Sequence, residues 1–306
     1  MELSERYRII KELGDQRIRK FGRVFLVENR KSGKKFVLKH TSFSGLDQHI
    51  IDRICNEHHF SFDLPGLPHI EESNQTSEES ILILDYQEGE TLDKFWSKVP
   101  ACERLTVLKI ILRSLCPLFE FLRVQQIVHC DIKPSNILVH GTAETITVSL
   151  IDFGLAYDRT HNDYSTRKIL FPLGYAAPEL VLNRLECVDH TTDLFALGVV
   201  IWRLFAGKLP LTHPNPSIFT NLQITHPLPE HESISGKLHQ VLLKMSHKHS
   251  FFTSPNLMSP EDVRIALLEA KKQRYQTLPE VLEVLNALKK ERSWISRVLF
   301  GSLDQN

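Results

Sequence analysis

The apolar pattern of this chain changes character once, near Gln87-Glu88-Gly89-Glu90, and that change requires a fold with a strand-rich first third and a helix-rich remainder. Ahead of it, Tyr7 to Leu13, Arg23 to Glu28 with Val24-Phe25-Leu26-Val27, and Lys35 to His40 after the turn Lys31-Ser32-Gly33 read as three antiparallel strands. A helix is expected over about Leu46 to Phe60, and Ile81-Leu82-Ile83-Leu84 reads as a short buried strand. Beyond it, helical periodicity runs from about Cys102 to Gln126, Asp193 to Ala206 and Leu238 to Met245, with two last helical stretches across Pro260 to Lys290. Pro210, Pro214, Pro216, Pro227 and Pro229 mark a proline-rich connection, and the stretch from about His247 to Glu269 reads as an insertion loop. The class is α+β, with no internal repeat.

With 306 residues, 42% of them hydrophobic, the chain can bury one large core or two smaller ones. Lys+Arg and Asp+Glu balance at 37 each, which removes the bulk electrostatic argument for nucleic acid or an anionic membrane and leaves open only a local basic patch. The five cysteines are scattered and lack C-x-x-C spacing, so neither a disulfide framework nor a zinc site is indicated, and a reducing, cytoplasmic setting is expected. His247 and His249 lack a second ligand pair nearby and read as surface histidines. No apolar run reaches the roughly 18 residues of a membrane span. The first residues lack a signal peptide's apolar stretch.

The segment His129-Cys130-Asp131-Ile132-Lys133-Pro134-Ser135-Asn136 places a carboxylate, an ammonium and an amide within two turns of backbone. A hydroxyl attacking a nucleoside triphosphate needs those three chemistries: a carboxylate to orient it and take its proton, a cation for the moving phosphoryl group, and an oxygen ligand for magnesium. The segment resembles the catalytic loop H-R-D-x-K-P-x-N of eukaryotic-type protein kinases. The family's two later signatures, Asp152-Phe153-Gly154 and Ala177-Pro178-Glu179, follow in the same order.

The resemblance implies a bilobal kinase domain over about residues 7–290, with an N-lobe of about 7–86, a C-lobe of about 90–290 and a tail of 291–306. It implies ATP and Mg2+ as cofactors. Asp131 and Lys133 would be catalytic, and Asn136 and Asp152 would hold the metal. Lys39 would meet the phosphates and Glu57 would hold Lys39. Gly14 and Gly22 would belong to the glycine-rich loop, Val24 and Val37 would cover one adenine face and Leu138 the other, and Leu84 and Tyr86 would stand at the back of the pocket and the hinge. Glu179 would pair with Arg274, and Asp193 would either bond the catalytic-loop backbone, cap a helix, or do both.

Three departures from the family pattern follow. Across Gly14 to Val24 the glycines are too far apart and the middle one is missing, so this loop grips phosphate less closely or bulges; Arg17, Arg19 and Lys20 could compensate or could simply be solvated. Cys130 stands where the family has arginine, which removes one reason for switching by phosphate on Thr160, Tyr164, Ser165 or Thr166. Pro172 stands where serine/threonine kinases have threonine, yet Lys133 is the serine/threonine arrangement, so serine/threonine acceptors on protein substrates are expected with dual specificity left open. The rival reading is a pseudokinase acting as a nucleotide-binding or scaffolding module. A small-molecule kinase is disfavoured by Ala177-Pro178-Glu179 with Arg274. The apolar ending Trp294 to Phe300 would dock on the C-lobe or on a partner.

Overall fold

Alternating side chains along the first 85 residues build one twisted antiparallel sheet. The structure, a computed structural model, describes residues 3–14, 22–142, 145–160, 171–251 and 253–288. A helical turn, α1 (Leu3–Arg6), leads into β1 (Tyr7–Glu12), β2 (Arg23–Asn29), β3 (Lys35–Ser42), helix α2 (Gln48–Glu57), β4 (Ile70–Gln75) and β5 (Glu79–Asp85). The strand order is β1-β2-β3-β5-β4. Val24 lies opposite Lys39 and Val37 opposite Leu84, so the period of two puts these four residues on one face. The other face carries Tyr7, Phe25, Val27, Phe36 and Ile83 as a small core, with the rings of Tyr7 and Phe36 edge to face at 5.7 Å.

The second lobe follows through β6 (Glu90–Thr91), α3 (Leu92–Ser97), α4 (Arg104–Val124), β7 (Ile127–Val128), β8 (Ile137–His140), β9 (Thr147–Leu150), β10 (Tyr157–Asp158) and α5 (Pro178–Val181). Helices α6 (His190–Ala206), α7 (Pro216–Thr225), α8 (Gly236–Met245), α9 (Pro260–Gln273) and α10 (Leu278–Ala287) complete it. Leu112 and Leu115 of α4, Phe195 and Val200 of α6, Leu242 and Met245 of α8, and Val281 and Leu285 of α10 are all fully buried in one core. Each such side chain contributes about 1.5–3 kcal/mol, which fixes α6 as the central rod of the lobe.

Several elements differ from the sequence reading. The proline-rich connection contains α7, because Pro216 occupies the first helical position, where its missing N–H is no loss, and Asn215 caps it by accepting the N–H groups of Ser217 and Ile218. The expected insertion loop is shorter, since α9 starts at Pro260 behind the Ser259 cap. Strand β4, Ile-Glu-Glu-Ser-Asn-Gln, was missed because an edge strand with little buried surface shows no apolar alternation. Helix α6 is capped by Asp189 in a reciprocal box with Thr192, not by Asp193.

Candidate functional site

The loop after β7 is held from beneath. Asp193, buried in α6, accepts the backbone N–H groups of His129 at Oδ2 (2.7 Å) and Cys130 at Oδ1 (2.9 Å). His129 is fully buried and burial pushes its pKa down to about 4, so the ring is neutral. It then donates from Nε2 to the Ile151 carbonyl (3.1 Å) and accepts the Asp131 N–H at Nδ1 (3.3 Å). Cys130 takes a left-handed conformation, φ 60°, which turns the chain so that Asp131 follows pointing inward.

The Asp131 side chain has no solvent exposure. Its Oδ2 accepts from Lys133 Nζ (2.7 Å), Asn136 Nδ2 (3.1 Å) and Arg53 Nη2 (3.1 Å), while Oδ1 has no partner. Burial raises the Asp131 pKa and the Lys133 charge works against that rise, which leaves a carboxylate more basic than usual. Asn136 closes a 3-10 turn begun by Pro134, and its carbonyl accepts the N–H of Ile151 (3.0 Å), joining this loop to the strand that delivers Asp152.

Asp152 follows β9 in a left-handed conformation, φ 67°. Its Oδ2 lies 2.7 Å from Arg53 Nη2. Burial would raise this carboxyl, but the charges of Arg53, Lys39 and Lys133 outweigh burial and hold it at about 2, fully ionised at neutral pH. Phe153 is buried between Phe60, Phe62 and His129, with ring centroids 5.9, 5.1 and 4.5 Å away. A Cβ on Gly154 would stand 3.0 Å from the Arg53 carbonyl and from Arg53 Cγ, so any larger residue here would push α2 back by a few tenths of an ångström. Asn56 Nδ2 donates to the carbonyls of Gly154 (3.1 Å) and Ala156 (2.9 Å), tying the helix to this segment.

Lys39 Nζ meets Glu57 Oε1 at 2.5 Å. Burial works against the Lys39 charge, but Glu57 and Asp152 outweigh it and the pKa is raised. Val24, Val37 and Leu84 share its sheet face, while Leu138 lies half-buried on β8, two residues beyond Asn136, and Tyr86 lies just past β5. Gly14 and Gly22 both have positive φ, 83° and 65°, and a Cβ on Gly22 would collide with Thr41 Oγ1. Residues 15–21, with Arg17, Arg19 and Lys20, lie outside the described residues, as do Tyr164, Ser165, Thr166 and the tail from Trp294 to Phe300.

Sequence reasoning missed Arg53 and Asn56. Their only signal was position, one turn and one residue ahead of Glu57, and a charged residue on an amphipathic helix reads as solvated. Hard oxygen donors suit magnesium. Asn136 Oδ1 and the ionised Asp152 supply them, and the Arg53 guanidinium marks the place between the carboxylates as one that takes positive charge. Among the described residues no group of three or more His, Cys, Asp or Glu could hold a metal alone, so phosphate oxygens would have to complete the shell. A cavity of about 780 Å³ beside Tyr86, lined also by Phe95, Val99, Val107 and Val139, contains none of these charged groups.

Below the site, Arg274 holds Glu179 through Nη1–Oε1 (2.6 Å) and Nη2–Oε2 (3.0 Å), with no exposure of either side chain. Pro172 lines a small cavity with Asp131, Tyr175 and Asp193, which places the Pro172 to Tyr175 segment against the loop that carries Asp131.

The family model for the protein kinase domain matches residues 7–265. Among curated relatives, serine/threonine-protein kinase 36 of Pongo abelii is 29% identical over 67% of this chain and 15% of its own. The phosphorylase b kinase gamma catalytic chain, liver/testis isoform, of Rattus norvegicus is 32% identical over 60% of this chain and 48% of its own. Serine/threonine-protein kinase ATG1a of Arabidopsis thaliana is 28% identical over 64% of this chain and 31% of its own. The chain thus spans half or less of the length of these relatives. The two-lobed fold, the hydrogen-bonded set around Asp131 and Asp152, and the match over most of the sequence together make this chain a member of the protein kinase family.

Proposed function

We propose that the chain is an ATP-dependent protein kinase acting on serine and threonine hydroxyls, with the kinase domain over about residues 7–290. The supporting observation is the convergence of Asp131, Lys133, Asn136 and Asp152, with Lys39 close enough for the Asp152 charge to raise its pKa. Asp131, whose buried Oδ1 has no hydrogen-bond partner, takes the proton of the substrate hydroxyl. Lys133, held on Oδ2, neutralises charge on the transferred phosphoryl group, and Lys39, fixed by Glu57, sets the other phosphates. Asn136 and Asp152 would hold magnesium, which supplies charge neutralisation of the triphosphate when bound. Val24, Val37, Leu84, Tyr86 and Leu138 would enclose the adenine. The names of the two relatives called serine/threonine-protein kinases and Lys133 support serine/threonine acceptors, and the five free cysteines support a cytoplasmic setting. Among the described residues no helix is long and apolar enough to cross a membrane.

A second reading, a nucleotide-binding scaffold without turnover, draws on Arg53, whose guanidinium engages both carboxylates. Incubation with labelled Mg-ATP and generic protein acceptors, beside Asp131→Asn, separates the two. Label on serine or threonine, absent in the variant, supports the kinase; nucleotide binding without transfer to any acceptor supports the scaffold.

A further inference from the structure

Arg53 is a charged side chain placed among the catalytic groups from the opposite lobe. One of its nitrogens, Nη2, bonds the Oδ2 atoms of both Asp131 (3.1 Å) and Asp152 (2.7 Å). Its stem packs on Gly154, and its helix is tied to the same segment by Asn56, so the backbone of Arg53 cannot retreat without breaking those contacts. Only rotation of the side chain, about one-third exposed, can carry the charge away.

Among the described residues the charges of the cluster balance with Arg53 in it. Three carboxylates, Asp131, Asp152 and Glu57, face three cations, Lys39, Lys133 and Arg53, and His129 beside them is neutral. A divalent ion ligated by Asp152 meets a carboxylate oxygen already bonded to a guanidinium, with a like charge within hydrogen-bond reach of the same oxygen.

We propose that Arg53 is a positioning residue that competes with the divalent metal for Asp152 and Asp131, and so sets the metal concentration at which the nucleotide site fills. The side chain must rotate off Asp152 as metal and triphosphate enter, and the negative phosphates offer it a new partner. The inference rests on Asp152 and Asn136 being the metal ligands.

The test is a Mn2+ titration of the full chain in the presence of ADP, followed by the electron paramagnetic resonance signal of free Mn2+, for wild type, Arg53→Met and Arg53→Lys. One neighbouring charge moves a carboxylate's proton affinity by about tenfold or more. Arg53→Met should therefore half-saturate at a Mn2+ concentration about tenfold lower than wild type, with Arg53→Lys close to wild type because the charge is retained. In metal-free buffer Arg53→Met should melt lower than wild type and regain the difference on addition of Mn2+. Equal half-saturation in all three proteins overturns the proposal, as does a weaker site in Arg53→Met. If wild type takes up no Mn2+ and Asp152→Asn behaves identically, the metal-ligand assignment itself fails and the proposal falls with it.

Discussion

Arg274 and Glu179 meet in two parallel hydrogen bonds with no solvent on either side chain, and Thr192 Oγ1 donates a third bond to Glu179 Oε1 (2.8 Å). The pair joins α5 to the end of α9, and Thr192 adds the start of α6. Loss of one partner leaves the other buried and uncompensated.

Glu179→Ala and Arg274→Ala are each expected to lower unfolding free energy by about 3–5 kcal/mol, read by urea denaturation. Arg274→Lys should recover only part, because one ammonium cannot make both bonds. Burial alone would raise the Glu179 carboxyl, but the Arg274 charge outweighs it and holds the pKa below 4.5. The contribution of the pair is therefore fully present above pH 4.5 and is lost as the pH falls through the depressed value.

Asp131→Asn should lower turnover by about 10²–10⁴-fold while leaving ADP affinity close to wild type, since it removes proton acceptance and keeps the shape. Lys39→Met should weaken nucleotide binding as well, because its Nζ, held by Glu57, stands on the sheet face that would cover the nucleotide. Binding calorimetry with ADP beside initial rates discriminates the two patterns. Equal loss of binding in both variants would contradict the division of roles.

Cys130 lies in an apolar cluster with Val128, Leu155, Ala176, Leu180 and Val188, and burial pushes its thiol pKa well above 9. Iodoacetamide should label the exposed Cys102 rapidly and leave Cys130 untouched in the native protein. Cys130→Arg should be strongly destabilised by burying an unpaired charge. Phosphatase-treated wild type should retain its activity, since no charge buried at position 130 needs a phosphate partner; inert protein restored only by phosphorylation would contradict this.

Lys248 is buried with Nζ on the carbonyls of His226 (2.7 Å) and Leu222 (3.4 Å), and burial, aided by the Arg274 charge, pushes its pKa down to about 7 from 10.5. Between those values the unfolded chain holds a proton that the folded chain does not, so stability rises with pH across the interval; below about 7 the penalty is complete. Lys248→Met should flatten the wild-type rise in melting temperature between pH 7 and 9. An unchanged slope would show that Lys248 is not its source.

Asp131, Lys133, Asn136, Asp152 and Glu179 were legible because each sits in a short motif whose chemistry restricts the residue type, whereas Lys39, Glu57 and Arg274 were placed only through the resemblance to the family. Arg53 was not legible, because its role depends on α2 packing on Gly154, a contact made across 101 positions of sequence. Asp193 was legible as a backbone acceptor, but the cap of α6 belongs to Asp189, four residues earlier, where the reciprocal bond with Thr192 decides the helix start. Strand β4 and helix α7 escaped for opposite reasons: an edge strand carries no alternation, and a proline at the first helical position imitates a loop.

The Asn56 clasp on the Gly154 and Ala156 carbonyls makes α2 and the Asp152-Phe153-Gly154 segment one mechanical unit. An inhibitor designed to evict Phe153 from its nest of Phe60, Phe62 and His129 must therefore drag or detach the helix too. Such compounds should engage slowly, and faster once Asn56 is replaced by leucine.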